Sequence, residues 1–353
     1  MEVVLRLYGK ESSEMKTIKV KYVGFWEGWE SEKIFLTRLL EKHYNVEISD
    51  EPDYVICSCF GFYDYLDYPQ VRIMYSGENY IPDFNYVDYA ISVYPVNFLD
   101  RHQTIPGIFM SPYESILALE NKNRHYESSV LDTKPYFANL IAGHESEGNM
   151  RGNLLKLFEG YKRVESAGSF QNNMPEGWKV SRLDGTKLDF QRKCKFTICA
   201  ESIAHEGFVT EKIYEAFLAD TIPIYYGSST VSQIFNRKAY IDVRDYESLE
   251  DVLARVIELD SDDEQYLEML NQPIFVQEHY ITDSIAKLEA FLCHIFDQPL
   301  EKAYRRCRMF SPANHEKRII KWKRRELNCW HKMHNAAKKK YDPILYVLKD
   351  LVK

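Results

Sequence analysis

This 353-residue sequence lacks any stretch that approaches ~18 uninterrupted apolar residues, the length that a membrane-spanning helix needs. Its opening residues, MEVVLRLYGK, also lack the apolar segment of a secretory signal. These absences argue against a membrane-spanning or secreted protein. They predict a cytoplasmic one.

Cysteine is scarce and its spacing is irregular. The seven cysteines are odd in number, and none stands in a C-x-x-C arrangement. A disulfide framework or a structural zinc site is therefore not expected. The phosphate-binding patterns G-x-G-x-x-G and G-x-x-x-x-G-K-[ST] are absent as well, so a nucleotide site would have to be built from other residues.

The charge distribution is uneven along the chain. The net charge of −8 argues against general nucleic-acid binding. The segment 317–353 is the exception, because it holds 12 Lys and Arg against 3 Asp and Glu, interleaved with apolar residues such as Trp322 and Trp330. Such a basic amphipathic tail fits an anionic membrane surface. Packing of its tryptophans against the acidic body is an equally open interpretation.

Short buried strands alternate with amphipathic helices along most of the chain, which favours parallel sheets. The first half contains predicted strands 18–25, 53–60, 71–77 and 88–94 and a predicted helix 31–44. The second half contains predicted strands 135–142, 195–201, 221–227 and 239–243 and predicted helices 152–161, 210–219, 228–235 and 248–259. We therefore expect two Rossmann-like, doubly wound α/β domains that face each other across a cleft. Their expected bounds are 1–130 and 131–312, followed by a basic amphipathic helical tail, 313–353.

The segment 199–217, CAESIAHEGFVTEKIYEAF, concentrates polar residues where a buried strand leads into a helix. Ligands of open α/β sheets bind at this edge, and the first turn of a helix favours an anion. Lys212 stands at a helix end that the dipole makes unfavourable for a cation, so its position suggests an anionic ligand. The same residues are also explained without a ligand. The first turn would then be polar because it is solvated, with Thr210 as its cap and Glu211 interacting with the positive end of the helix dipole.

The junction belongs to a longer pattern, KFTICAESIAHEGFVTEKIYEAFLADTIPIYYGSSTVSQIFN, residues 195–236. This pattern resembles the donor-binding signature of the α-1,3-fucosyltransferases, glycosyltransferase family 10. The first half adds VKYVGFWEGW, VEISDEPDYVICSCFG and MYSGENYIPDFNYVDYAISV, so the resemblance covers about residues 18 to 245. It implies a bacterial-type fucosyltransferase with a GT-B fold, with GDP-L-fucose in the C-terminal domain and a glycan acceptor in the N-terminal domain. N-acetyllactosamine or lactose would then receive fucose. The resemblance suggests an α-1,3 linkage, and an α-1,4 linkage stays open.

The resemblance also implies roles for individual residues. Lys212 and Glu211 would contact the diphosphate and the ribose, and Arg151 would pair with the β-phosphate. The rest of the donor segment comprises Glu201, Ser202, Phe208, Val209 and Thr210. Ser202 and Phe208 depart from the Asn and Tyr that the family usually has, and both replacements remove hydrogen-bonding capacity near the phosphates.

On the acceptor side the resemblance points to Glu78 in MYSGENYIPDF as the general base. A partly buried glutamate at a cleft can have its pKa raised toward neutrality, as a base at neutral pH requires. Without the resemblance, a solvated loop glutamate would explain the same residue. The segments that should line the acceptor side also contain Trp26, Glu27, Trp29 and Tyr80.

No metal or other cofactor is expected. The one candidate for a D-x-D-like site, DSDDEQ at 260–265, directly precedes a predicted helix, where carboxylates commonly serve as caps. Arg151, Lys212 and the helix end can together balance the diphosphate charge. Two other readings stay open, namely a GT-B enzyme that uses a different nucleotide sugar and an inactive sugar- or nucleotide-binding protein on the same fold.

Overall fold

Two parallel β-sheets form the body of the protein. The computed structural model describes residues 15–26, 29–31, 34–61, 63–181, 184–307 and 309–326. The first sheet has six strands, in the spatial order 45–48, 17–23, 54–57, 71–76, 89–92 and 102–104. The second has five, in the order 241–242, 222–226, 194–200, 136–140 and 164–166. All neighbouring strands run parallel. The predicted arrangement of two α/β units is confirmed.

The first sheet is built from short strands whose central members are buried on both faces. Its strands are β1 (Thr17–Val23), β2 (Asn45–Ile48), β3 (Tyr54–Cys57), β4 (Val71–Ser76), β5 (Tyr89–Ser92) and β6 (His102–Thr104). Its helices are α1 (Phe35–Glu41) and α2 (Tyr113–Glu120). Every residue of β3, β4 and β5 is buried, which is why these segments read as continuous apolar runs in the sequence.

The second sheet follows the same plan. Its strands are β7 (Tyr136–Leu140), β8 (Val164–Ser166), β9 (Cys194–Ala200), β10 (Ile222–Tyr226) and β11 (Ile241–Asp242). The helices after β7 are α3 (Met150–Glu159), α4 (Thr186–Gln191), α5 (Glu211–Leu218), α6 (Leu249–Ser261), α7 (Asp263–Leu270), α8 (Tyr280–Phe296) and α9 (Leu300–Ala303). The predicted helix 228–235 is wrong in type, because the structure has only a 3₁₀ turn at Ser229–Gln233.

Helix α8 packs back on the first sheet, although its sequence position lies inside the range 131–312. Lys16 Nζ donates to the carbonyl of Phe296 at 2.5 Å, and the Tyr44 hydroxyl donates to Asp297 at 2.8 Å. Just beyond it, the fully buried Asp88 pairs with Arg306, with 3.1 Å between Oδ2 and Nε. The chain therefore crosses from the second sheet back to the first near residue 280.

The two halves also meet at the backbone. Gly107 forms a parallel bridge with Thr210, the residue directly before α5. A Cβ atom on Gly107 would lie 2.6 Å from Thr210 Cα, so no side chain fits there. This contact holds the start of α5 opposite the carboxyl edge of the first sheet.

The described part of the basic tail is a helix at 310–326 that packs on the first domain. Lys323 is 3% exposed and pairs with Asp64 at 3.2 Å and Asp67 at 2.8 Å. The ring of Trp322 lies edge-on to Tyr63, with 6.3 Å between centroids. Residues 327–353 lie outside the described part of the chain. Among the residues that the structure describes, no helix is long and apolar enough to cross a bilayer.

Candidate active site

The strand-to-helix junction after β9 is organised by a buried carboxylate. Glu201 has no exposed surface and accepts hydrogen bonds from the Thr210 amide at 2.8 Å and from the Thr210 hydroxyl at 2.7 and 2.9 Å. Its Oε2 also accepts from Lys212 Nζ at 3.0 Å. Thr210 occupies the N-cap position, but its hydroxyl bonds Glu201 and makes no capping bond to the helix.

Lys212 is the cation that this junction presents. Burial acts to lower its pKa, but the carboxylates of Glu201 and Glu211 outweigh burial and raise the pKa above its ordinary value. The side chain is 20% exposed, and Nζ lies 3.6 Å from Glu211 Oε1. Lys212 therefore stays charged at neutral pH in a fixed position at the start of α5.

Arg151 lies in the first turn of α3 and is 2% exposed. Its Nε donates to the Ala200 carbonyl at 3.0 Å and its Nη1 to the His144 carbonyl at 2.6 Å. Burial lowers its pKa from the ordinary value, although the guanidinium remains charged at neutral pH. Among the described residues no acceptor is bonded to Nη2, so this nitrogen can donate to a ligand.

These groups line one cavity, which we call the cationic cavity. Its volume is about 370 Å³, and it lies between the carboxyl edges of the two sheets. The side chains that the sequence predicted for the site and that line this cavity are Glu78, Arg151, Ser202, Phe208, Thr210, Glu211 and Lys212. The structure thus brings residues that were predicted in the two halves of the sequence to one cavity.

Two residues of the predicted donor segment do not line the cationic cavity. Glu201 lies behind Lys212 and Thr210, and Val209 is 4% exposed and packs in the core between the halves. Phe208 does line the cavity, and its ring stacks on Tyr94 with 5.5 Å between centroids. Glu201 therefore acts on a ligand only through the groups that it positions.

Glu78 follows β4, which ends at Ser76. Its backbone amide donates to Ser76 Oγ at 3.2 Å, which fixes the turn after the strand. The expectation that Glu78 is partly buried is wrong, because the residue is exposed. The reason is that the loop has already left the sheet, and Glu78 stands where the cationic cavity meets a second one.

This second cavity, the tryptophan cavity, has a volume of about 80 Å³. Glu78 and Glu211 line it together with aromatic residues of the first domain: Phe25, Trp26, Trp29, Phe60 and Tyr75. The rings of Phe25 and Trp29 stack at 3.8 Å between centroids. Glu27 lies outside the described residues. Tyr80 does not line this cavity but a neighbouring one.

One cation of the site was not predicted from the sequence. Lys187 in α4 is 8% exposed, lines the cationic cavity and forms an ion pair with the buried Glu215 of α5. The segment around it, SRLDGTKLDF, carries no motif that points to a ligand. Only the fold brings α4 against α5, so no local signal could have found Lys187.

In the acidic segment 260–265, the carboxylates of Asp260 and Asp262 are bonded to other groups of the protein. Asp260 is paired with Lys162 at 2.5 Å and Lys195 at 2.8 Å, and although its burial favours the neutral acid, these lysines hold the pKa of Asp260 below its usual value. Asp262 caps α7 by accepting from the Gln265 amide at 3.1 Å. Within the described ranges no group of three or more His, Cys, Asp or Glu side chains is arranged to hold a metal ion.

Comparison with protein families matches both halves of the chain. Residues 20–110 match the profile of the alpha-(1,3)-fucosyltransferase FucT N-terminal domain. Residues 131–310 match the profile of glycosyltransferase family 10 (fucosyltransferase), C-terminal part. The two matches coincide with the two sheets and with the residues that line the cationic cavity.

Individual relatives agree with this. An alpha-(1,3)-fucosyltransferase of Helicobacter pylori is 28% identical over 288 residues, which are 70% of this chain and 58% of the relative. The chain thus spans little more than half the length of that relative. A human 4-galactosyl-N-acetylglucosaminide 3-alpha-L-fucosyltransferase is 32% identical over 80 residues, which are 22% of each chain.

A solved α1,3-fucosyltransferase in complex with GDP shares the fold, with a TM-score of 0.62 and 22% identity over 80% of this chain and 92% of that one. The same TM-score and identity hold for a structure with GDP-fucose, over 83% of this chain and 95% of that one. The family 10 profile covers half of the residues of this chain, and the N-terminal profile covers the first sheet. The chain therefore belongs to glycosyltransferase family 10, the fucosyltransferases.

Proposed function

We propose that the protein is an inverting α-1,3-fucosyltransferase that uses GDP-L-fucose as donor and needs no metal ion. One observation carries the proposal: a single cavity between the sheets joins Glu78 of the first domain to Arg151, Glu211 and Lys212 of the second. A base, two cations and a ribose-binding carboxylate are the groups that sugar transfer from a nucleotide diphosphate requires.

The donor would bind through its diphosphate. Arg151 Nη2 and Lys212 Nζ supply two positive charges, and the start of α5 adds the positive end of its helix dipole. Both cations are already held by protein carbonyls or carboxylates, so they need little rearrangement when negative charge develops on the leaving group. Glu211 accepts hydrogen bonds only, which suits the ribose hydroxyls.

The transfer step uses Glu78. Its carboxylate takes the proton from the attacking acceptor hydroxyl, whose oxygen forms a bond to the anomeric carbon of fucose. The bond from that carbon to the diphosphate oxygen breaks, and GDP leaves with the electron pair. Attack from the face opposite to GDP inverts the anomeric configuration. The exposed position of Glu78 between both cavities gives it access to a hydroxyl group on one side and to the donor on the other.

The acceptor would be an N-acetyllactosamine-type or lactose-type glycan, whose N-acetylglucosamine or glucose receives the fucose, which makes a Lewis-type product. The tryptophan cavity supports this because aromatic rings offer flat apolar faces to a sugar. Trp26 and Trp29 are the rings that we assign to the reacting sugar.

The test is product analysis after incubation with GDP-fucose and, separately, with GDP-mannose, UDP-galactose and UDP-glucose. We expect transfer from GDP-fucose alone, and nuclear magnetic resonance of the product should show an α-1,3-linked fucose. Transfer from another donor would identify a different GT-B enzyme. Binding of GDP without transfer to any acceptor would identify an inactive binding protein.

We further propose a cytoplasmic location with peripheral contact to an anionic membrane through the segment 317–353. The half-exposed Trp322 and the basic residues of the tail support this. Co-sedimentation with vesicles that contain phosphatidylglycerol should depend on the tail and weaken at high salt. Equal sedimentation with neutral vesicles, or after removal of the tail, would contradict the contact.

A further inference from the structure

The chain passes between the two domains twice, once after α2 and once before α8. Both crossings line one cavity of about 390 Å³, which we call the crossover cavity. Its described lining residues lie in the ranges 119–125 and 271–279, and none of them lines the cationic cavity. The crossover cavity is therefore separate from the site of the proposed reaction.

The two crossings are bonded to each other beside this cavity. The side chain of Asn271 accepts from the Tyr126 amide at 2.7 Å and donates to the Tyr126 carbonyl at 3.0 Å. Arg124 Nη1 donates to the Gln272 carbonyl at 3.1 Å. Because these bonds join the crossings, part of the cavity wall is fixed in the folded chain.

Arg124 is a buried charge in this wall. It is 5% exposed, and its Nε and Nη2 atoms have no hydrogen-bond partner among the described residues. The guanidinium carbon lies 5.3 Å from the centre of the Phe217 ring, which stabilises the charge but accepts no ordinary hydrogen bond from either nitrogen. Burial lowers the pKa of Arg124 to about 10, against the opposing influence of Tyr126 and Asp220, so the group is charged at neutral pH. A buried cation with two unpaired nitrogens is costly unless an anion completes it.

The other charged groups of the inner wall already have partners. Lys122 Nζ lies 2.9 Å from Asp220 Oδ1 and donates to the Leu218 carbonyl at 2.8 Å. Glu120 accepts from the Ile281 amide at 3.1 Å, in the first turn of α8. Lys122 and Glu120 are thus each balanced by a neighbouring group, which leaves the charge of Arg124 to be matched by a ligand.

The rest of the polar lining is exposed. The side chains concerned are Asn123, His125, Gln277, Glu278 and His279. The amide and imidazole groups among them can donate hydrogen bonds to an anion. The Glu278 carboxylate opposes an anion, but water screens it because the side chain is almost fully exposed, and His279 Nε2 lies 3.7 Å from it.

We propose that the crossover cavity binds a small oxyanion, carrying a phosphate or a carboxylate group, on Arg124. The planar fork of a guanidinium matches two oxygens of either group. Binding requires Arg124 to turn its unpaired edge toward the cavity, and the free volume beside it gives room for this movement. The bound anion would contact both crossings, since residues of both line the cavity.

The experiment is calorimetric titration with inorganic phosphate and, separately, with succinate, at an ionic strength held constant with sodium chloride. We expect Arg124→Gln to weaken binding by about tenfold or more, the scale of hydrogen bonds to a charged group. Arg151→Gln should keep this binding, because it removes a cation from the cationic cavity only. The matched control is Arg38→Gln, which removes the same charge from an exposed position of α1 and should bind as the wild type does.

Tighter binding of phosphate would assign a phosphate ligand to the site, and tighter binding of succinate would assign a carboxylate ligand. A wild type that binds neither anion overturns the site, and so does binding that Arg151→Gln weakens while Arg124→Gln leaves it unchanged. If Arg124→Gln does not fold, Asn123→Trp replaces it, because this change puts a bulky ring at an exposed lining position. Weaker anion binding by Asn123→Trp supports the site, and unchanged binding overturns it.

Discussion

The two sides of the cleft differ in how their functional groups are held. In the second domain Arg151 and Glu201 are 2% and 0% exposed, and protein atoms already occupy part of their hydrogen-bonding capacity. In the first domain Trp26 and Phe60 are 38% and 49% exposed, and Glu78 is exposed as well. The second domain thus contributes buried charged groups that other protein atoms hold in position. The first domain contributes exposed aromatic rings and one exposed carboxylate.

The difference follows from the chemistry proposed for each side. A diphosphate is the same in every turnover, so charges that are oriented in advance stabilise its departure with no further cost of reorganisation. A glycan chain is recognised by flat apolar faces and hydroxyl groups, and exposed rings can serve several sugars. Mutations on the two sides should therefore affect different quantities, namely stability and donor use on one side and acceptor turnover on the other.

The largest effect is expected at Glu78. Glu78→Gln keeps the shape of the side chain but is not basic at neutral pH, so kcat should fall by roughly 10²–10⁴-fold. GDP affinity should stay unchanged, because the two cations of the diphosphate site belong to the second domain. Product assays and titration calorimetry with GDP measure the two quantities separately.

The control for Glu78 is Glu114→Gln, which changes an exposed glutamate in the first turn of α2. It should behave as the wild type in both measurements. A fully active Glu78→Gln enzyme would remove Glu78 from the role of base, and so would a variant that had lost GDP affinity.

The cations of the second domain come next. Replacing Arg151 or Lys212 by Ala should lower kcat/KM for GDP-fucose by about 10²-fold or more, the scale of one lost contact to a developing charge. Lys238→Ala, at an exposed lysine of the same domain, is the control. Near wild-type kinetics of both cavity variants would place the diphosphate elsewhere.

The carboxylates of Glu201 and Glu78 should differ most in their contribution to the free energy of unfolding. Glu201→Gln leaves Lys212 without its closest counter-charge, so the free energy of unfolding should fall by about 3 kcal/mol, the lower end for a broken buried ion pair because Lys212 is partly exposed. Glu78→Gln should change it by less than about 0.5 kcal/mol, as is usual at exposed positions. Urea unfolding of both variants measures this, and equal midpoints would contradict the contrast.

The smallest effect is expected from metal removal. EDTA should leave the transfer rate unchanged, and Mn²⁺ or Mg²⁺ should alter it only modestly, since Arg151 and Lys212 supply the charge that a metal would otherwise provide. Complete loss of activity that added metal restores would overturn this assignment. Asp260→Asn would then be the variant to compare, because Asp260 belongs to the D-x-D-like segment 260–265.

The parts predicted well from the sequence depend on local patterns. The strands β4 and β9 and the residues directly after them follow from apolar runs that end in polar residues. The family resemblance singled out Glu78, Arg151 and Lys212, and the structure brings these three to one cavity. Helix α8 was not predicted, although its buried residues recur at helical spacing, and its packing on the first sheet depends on contacts between distant parts of the chain.

Other features could not be read from the sequence for the same reason. The exposure of Glu78 depends on where a loop leaves its sheet, and the buried role of Glu201 depends on the return of Thr210 and Lys212 to the end of β9. The ion pair of Lys187 with Glu215 depends on how two helices pack. Contacts between such distant parts of the chain cannot be derived from residue type and spacing.

The backbone bridge between Gly107 and Thr210 determines how the cleft can move. A point where two bodies share a backbone contact acts as a pivot, and displacements grow with distance from it. The start of α5, where Lys212 lies, is next to this pivot and would barely shift during a rotation of one domain against the other. Groups on the rim of the cleft that lie farther from this pivot would sweep through a longer path. Opening and closing would therefore admit or release a glycan while the anion-binding end of the cleft keeps its geometry.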